Sequence, residues 1–95
     1  MAKCVFISQP DTDKAACERA LENARVQIKR KLRANTYEVL NAELKADDGP
    51  AQLRETLDMI LKADLVIFAN GWNKSRRCNV EHAICEEYGI SYIEV

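Results

Sequence analysis

Leu65-Val66-Ile67-Phe68-Ala69-Asn70-Gly71-Trp72-Asn73-Lys74-Ser75 is the stretch of sequence that decides the fold. Its opening run, Leu65 to Ala69, is wholly apolar, which is typical of a strand covered on both faces of a sheet. Asn70-Gly71 ends that strand with turn residues. Ser75 can then cap a helix, and Gly89 stands where such a helix would end in a left-handed residue. We therefore expect a central strand, a turn and a capped helix.

Upstream of this stretch the chain begins with a strand and a helix. Cys4 to Ile7 is a compact β-favouring run, and Gln9-Pro10-Asp11 ends it with turn chemistry. From Asp13 to about Arg33, small or apolar residues recur at the three-and-four spacing of one helix face. The residues of that face are Cys17, Ala20, Leu21, Ala24, Ile28 and Leu32.

A second strand and a second helix fill the middle of the chain. Thr36 to Leu40 favours a short strand, and Asn41 to Asp48 is a polar connection. Asp48-Gly49-Pro50 places a capping carboxylate and a proline at a helix start, and the helix should end near Lys62. The residues predicted for its buried face are Leu53, Leu57, Ile60 and Leu61.

The last helix and strand complete the order β-α-β-α-β-α-β. The apolar residues of the third helix are Val80, Ala83, Ile84 and Tyr88, and Ile90 to Val95 is the last strand. Alternation of this kind predicts one α/β domain over residues 1–95, with a mainly parallel four-stranded sheet and three helices. Ligands of such sheets bind beyond the carboxyl ends of the strands, which here are Ser8 to Asp11, Asn41 to Asp48 and Asn70 to Ser75.

Composition excludes several classes of function. The 14 basic and 15 acidic residues leave a net charge of -1, which argues against a nucleic-acid partner. Apolar runs are too short to span a membrane and no signal sequence opens the chain, so we expect a cytoplasmic protein. Its four cysteines form no C-x-x-C pair, and His82 lacks zinc-knuckle spacing. We expect reduced thiols, no metal, no cofactor and a surface position for His82.

Glu81 and Trp72 are the residues most suggestive of chemistry. Glu81 shares a helical stripe with Cys78, Cys85 and Tyr88, which indicates a part-buried carboxylate able to act as a nucleophile or to accept ligand hydroxyls. The alternative is a surface glutamate favoured by the helix dipole. Trp72, in a loop, suits a ligand wall or a partner surface, although a place in the core stays open.

These residues also carry a family resemblance. The run from Ala63-Asp64 through Gly71-Trp72-Asn73-Lys74-Ser75, followed by Glu81-His82-Ala83 and Tyr88-Gly89-Ile90, resembles the nucleoside 2-deoxyribosyltransferase-like superfamily, in particular its small, often phage-encoded branch. The opening Val5-Phe6-Ile7-Ser8-Gln9-Pro10 is similar to the first strand and S-G-P turn of that family.

The resemblance implies a small flavodoxin/Rossmann-like three-layer sandwich that binds a nucleoside or nucleotide. Glu81 would attack the anomeric carbon, as in a deoxyribosyltransferase or N-glycosidase. Ser75 and nearby backbone N–H groups, including those of Asn70 and Gly71, would hold a 5′-hydroxyl or phosphate. Ser8, Gln9 and Trp72 would line the base or sugar pocket.

Departures from the family pattern leave further hypotheses open. Arg77 replaces the glycine after the family serine, Gln9 replaces the S-G-P glycine, and Thr56 stands where the family usually has an aspartate. These changes favour a non-catalytic nucleoside or nucleotide binder with Arg77 as the anion contact. An exposed Trp72 would instead favour a protein-interaction module. Because a small sheet with two edge strands covers itself poorly, we also expect a homodimer or larger homo-oligomer.

Overall fold

The computed structural model describes residues 3–10, 14–34, 36–40 and 49–95. The predicted alternation of strands and helices is confirmed, with bounds within one or two residues of those expected. The predicted connection Asn41 to Asp48, including the capping role of Asp48, lies outside the described residues. In chain order the elements are β1 (Lys3–Ser8), α1 (Lys14–Leu32), β2 (Tyr37–Val39), α2 (Gly49–Lys62), β3 (Leu65–Phe68), a 3-10 turn (Trp72–Lys74), α3 (Arg76–Tyr88) and β4 (Tyr92–Glu94).

The four strands form one parallel sheet in the order β2-β1-β3-β4. Val5 of β1 lies opposite Val39 of β2 on one side and Leu65 of β3 on the other. β3 also pairs with β4, where Val66 lies opposite Tyr92. The prediction of a central strand at Leu65 to Ala69 is therefore confirmed, and β2 and β4 are the edge strands.

Alternate residues of the two central strands point into two separate cores. Val5 and Ile7 of β1 pack with Ala24 and Ile28 of α1 on one face of the sheet. On the other face Phe6 packs with Ile60 of α2 and Cys85 of α3. The result is the expected three-layer, Rossmann-like α/β sandwich with α1 alone on one side.

α2 buries a different residue from the one expected at its end. Ile60 is fully buried, as predicted, and Leu57 packs partly against the same core. Leu61, however, is 71% exposed, whereas Thr56 is only 1% exposed. The Thr56 hydroxyl donates to the carbonyl of Leu53 at 3.2 Å, so the helix itself supplies the partner that lets this polar residue lie inside.

α3 turns its apolar residues outward, contrary to the usual rule for an amphipathic helix. Its buried residues are Cys78, Glu81 and Cys85. Tyr88, expected on the same stripe as Glu81, is 80% exposed, and Val80 is 38% exposed. The helix therefore faces the interior with two thiols and with a carboxylate that is hydrogen-bonded there by Ser8.

Both ends of α3 are capped as the sequence predicts. Ser75 is extended, with φ of -103° and ψ of 128°, and its side chain accepts a hydrogen bond from the Cys78 N–H at 3.3 Å. At the other end Gly89 adopts a left-handed φ of 66°, and its N–H donates to the Cys85 carbonyl. The Ser75 cap fixes where α3 starts after β3, and the Gly89 cap fixes where α3 ends.

Each of the four cysteines is a free thiol. Across the described ranges, no helix has the length and apolar character that crossing a bilayer requires.

Candidate functional site at the carboxyl edge of the sheet

The carboxyl ends of β1 and β3 meet where the strand order reverses. β1 leads to β2 on one side, whereas β3 continues to β4 on the other. This is the position at which open α/β sheets bind ligands. Gly71 turns the chain there with φ of 90°, and a Cβ atom on it would lie 3.8 Å from Cγ of Pro10. The two strand ends are thus held close together.

Successive residues at the end of β1 face opposite sides of the sheet. The Ser8 hydroxyl donates to Oε1 of Glu81 on α3 at 2.6 Å. The next side chain, Gln9, points toward α1, where its Nε2 contacts Sγ of Cys17 at 3.7 Å. The alternation of a strand therefore divides the predicted ligand-binding residues between two faces.

Glu81 is held by donors on both of its oxygens. Nη1 of Arg77 lies 3.1 Å from Oε1 and 3.0 Å from Oε2 of Glu81. Nη2 of Arg77 donates to the main-chain carbonyl of Gln9 at 2.8 Å. The side chain of Glu81 is 0% exposed and that of Arg77 is 10% exposed. The surface alternative for Glu81 is therefore wrong, and its burial is complete rather than partial.

This arrangement is stabilising only as a complete set. An ionised carboxylate away from water needs a counter-ion and hydrogen-bond donors, because removing one such ion from water costs on the order of several kcal/mol. Arg77 and Ser8 supply them, and they also tie α3 to the end of β1. In this state Arg77 covers the Glu81 carboxylate, which would have to be open to a sugar in order to act as a nucleophile.

The carboxylate also influences a neighbouring thiol. Burial raises the pKa of Cys85 from its usual 9.0 to about 11, and the negative charge of Glu81 adds to that rise. Cys85 is 1% exposed. A thiol held protonated in this way behaves as a small apolar group rather than as a nucleophile.

An open cleft lies on the α1 face of the same edge. Its volume is about 320 Å³, near the lower limit for pockets that hold small ligands. Gln9 and Asn70 line it from the strand ends, and Arg19 and Asn23 line it from α1. The cleft therefore combines a cation and several amide groups, which suit a polar or anionic ligand.

Sequence reasoning missed Arg19 and Asn23 as lining residues. Both lie on the exposed side of α1, where a polar residue in the sequence usually indicates only that its side chain contacts water. The signal that would have found them is their spacing, because each follows by three residues a small residue that also lines the cleft, Ala16 and Ala20 respectively.

Ser75 and Trp72 were predicted to bind a ligand, but neither lines this cleft. The Ser75 side chain is used in capping α3. The Trp72 ring stacks on the ring of His82, with centroids 4.3 Å apart and an interplanar angle of 10°. Trp72 also lies 5.3 Å from the Phe68 ring and packs against the core beneath α2 and α3. Its partial burial weakens the argument for an exposed protein-binding tryptophan.

His82 is not a surface residue, and this prediction was wrong. Its side chain is 15% exposed because rings from β3, β4 and the 3-10 turn enclose it. The ring nitrogens face two carboxylates, with Nε2 3.0 Å from Glu94 and Nδ1 3.7 Å from Glu86. Tyr92 donates to the same Glu86 at 2.9 Å, and this hydrogen bond raises the Tyr92 pKa. The sequence could not reveal this packing of His82 against rings from distant segments.

In the described part of the chain, no three His, Cys, Asp or Glu side chains are placed to hold a metal ion. The chain matches no protein-family model, no curated protein and no solved structure.

Proposed function

We propose that this protein binds a nucleoside or nucleoside monophosphate in the cleft at the carboxyl edge of β1 and β3, without cleaving it. The observation that carries the proposal is the contrast between the two faces of that edge. On one face Glu81 is buried and covered by Arg77, whereas on the other face the cleft beside Gln9 and Asn70 is open to solvent.

The cleft supports a ligand of this class through its size and its donors. Its volume of about 320 Å³ suits a molecule of nucleoside size. The amides of Gln9, Asn23 and Asn70 can donate and accept hydrogen bonds, as recognition of a base edge or ribose hydroxyl requires. The guanidinium of Arg19 is the cation at the cleft and suits a phosphate.

Arg77 is less suited to hold the phosphate than the sequence alone implies. Its Nη1 is occupied by both oxygens of Glu81, and its Nη2 donates to the Gln9 carbonyl. A phosphate at Arg77 would have to compete with a carboxylate already in contact. The anion contact of the binding hypothesis therefore passes to Arg19.

A second candidate function is cleavage or transfer of an N-glycosidic bond through Glu81. The observation that favours it is the 2.6 Å hydrogen bond from Ser8, which fixes a carboxylate at the end of β1 where a ligand would lie. Reaction at Glu81 requires Arg77 to withdraw from it. Because Arg77 stands at the family's glycine position, Arg77→Gly should uncover the carboxylate.

The experiment that tests the lead proposal measures ligand-induced thermal stabilisation with a panel of nucleosides and nucleoside monophosphates. The parent, Arg19→Ala and Arg30→Ala proteins are compared, since Arg30 is an exposed arginine of the same helix away from the cleft. At 100 times its Kd a ligand adds about 2.7 kcal/mol to the free energy of unfolding. We expect monophosphates to stabilise the parent and Arg30→Ala proteins, and to stabilise Arg19→Ala clearly less.

The same mixtures are analysed for free base by chromatography, beside Glu81→Gln and Arg77→Gly proteins. The lead proposal predicts stabilisation of the parent with no release of base. Base released by the parent and not by Glu81→Gln would establish the second candidate instead. If no compound stabilises the parent and none is cleaved, both functions are wrong.

A further inference from the structure

α3 presents a regular stripe of four residues to solvent, directly opposite its buried face. Arg76, Val80, Ala83 and Glu87 follow one another at spacings of four, three and four residues. At 100° per residue these side chains project within about 60° of one another around the helix. We call these four residues the α3 stripe.

The α3 stripe runs along a shallow and largely apolar depression of about 570 Å³. Val80 and Ala83 lie at its centre, and Ile84 and Tyr88 extend it on one side. The Tyr88 side chain is 80% exposed and that of Val80 is 38% exposed. An apolar surface of this kind on a helix that buries thiols and a carboxylate is typical of a contact site.

The residues of the α3 stripe are placed symmetrically about its midpoint, and the two charged residues at its ends are of opposite sign. Arg76 and Glu87 stand at equal distances from its midpoint, and so do Val80 and Ala83. If a second α3 lies antiparallel across a two-fold axis at that midpoint, each Arg76 faces a Glu87 and each Val80 faces an Ala83. A self-complementary patch of this form is what an isologous dimer requires.

We propose that the α3 stripe is a homodimerisation surface on which a second copy of this chain packs its own α3 in antiparallel orientation. Charge complementarity identifies the occupant. Among the described residues, Arg76 and Glu87 take part in no ion pair, although Arg77 on the same helix pairs with Glu81. The antiparallel arrangement pairs them twice, once at each end of the contact.

The size of the surface sets the strength of the dimer. α3 has 13 residues, so its length is about 20 Å at 1.5 Å per residue. One helix face of that length gives less than the roughly 800 Å² per partner of a standard stable interface. The dimer should therefore dissociate on dilution. The stripe lies on the α3 side of the sheet and the cleft on the α1 side, so dimerisation leaves the cleft open.

Sedimentation velocity over a concentration series of the full chain tests this proposal. Arg76→Glu places like charges opposite each other and should raise the dimer Kd by about tenfold or more. Glu87→Arg should do the same. The double variant Arg76→Glu with Glu87→Arg restores opposite charges across the axis, and its Kd should return close to that of the parent.

Val80→Glu tests the apolar centre of the stripe, with Val26→Glu as the matched control because Val26 is an exposed valine on α1. We expect only Val80→Glu to weaken the dimer. The proposal is overturned if the parent sediments as a monomer at every concentration, or if the double variant fails to recover the association that each single variant loses. Melting temperatures of all variants establish that each remains folded.

Discussion

The environment of Glu81 shows how a single carboxylate can determine the orientation of a helix. With none of its side chain exposed, Glu81 depends on Arg77 and Ser8 to replace the water that it loses on folding. Since Arg77 also donates to the Gln9 carbonyl, the pair connects α3 to β1 as well as neutralising charge. The Arg77–Glu81 pair is therefore part of the packing of the sheet edge.

We predict that Arg77→Ala lowers the free energy of unfolding by about 3–5 kcal/mol, because it leaves a buried charge without its partner. Adding Glu81→Gln to that variant should recover part of the loss by removing the uncompensated charge. Arg54→Ala is the control, since Arg54 is an exposed arginine and should change stability by about 0.5 kcal/mol or less. Urea unfolding measures all four proteins, and equal losses for Arg77→Ala and Arg54→Ala would contradict this account of the pair.

The raised pKa of Cys85 predicts that the protein loses stability in alkaline solution. Its pKa is raised to about 11 in the folded protein from 9.0, so the folded state keeps the thiol protonated where the unfolded state ionises it. The associated stability is fully present below pH 9 and is lost as the pH rises to about 11. In the Cys85→Ala protein this decline in the free energy of unfolding should be smaller by about 2 kcal/mol. The raised pKa of Tyr92 also lowers stability at high pH, and it does so in both proteins.

The measurement is the free energy of unfolding at intervals from pH 8 to pH 11 in reducing buffer, for the parent and for Cys85→Ala. The comparison rests on the change with pH, so a constant difference from lost packing does not affect it. Parallel curves for the two proteins would show that Cys85 does not contribute to the pH dependence.

At the scale of single elements, the sequence predicted which segments are helices and strands, and it predicted the ends of α3. It predicted a part-buried stripe of Cys78, Glu81 and Cys85, but not that Glu81 is fully buried while the apolar Val80 and Tyr88 are exposed. Apolar periodicity marks a buried face only when the interior offers no partner for polar groups. Ser8 and Arg77 are such partners, and Ser8 is far from Glu81 in sequence, so no local pattern could reveal the Ser8–Glu81 contact.

The cap of α3 gives a prediction at this scale. Gly89 has φ of 66°, and a Cβ atom there would meet nothing within 4 Å, so strain of the backbone is the only structural penalty for a side chain. Gly89→Ala should lower the free energy of unfolding by about 1 kcal/mol, with a smaller loss for Gly89→Asn, which tolerates the left-handed region better. If chemical denaturation finds alanine and asparagine equally harmless, the cap does not limit stability.

At the scale of the whole molecule, the sheet order brings the two strand ends together and thereby creates both faces of the candidate site. The β2-β1-β3-β4 order places the ends of β1 and β3 side by side, as an alternating β-α sequence predicts in general terms. The sequence could identify Ser8, Gln9, Asn70 and Glu81 as residues of this edge. It could not divide them between two faces, because that depends on where α1 and α3 pack against the sheet.

The most direct test of the central claim is to follow backbone amide signals by nuclear magnetic resonance while a nucleoside monophosphate is added to the isotope-labelled protein. Binding in the cleft predicts saturable shifts concentrated at Gln9, Ala20, Asn23 and Asn70, with the α3 stripe unchanged. Shifts confined to other surfaces, or no saturable shift with any monophosphate, would contradict the account.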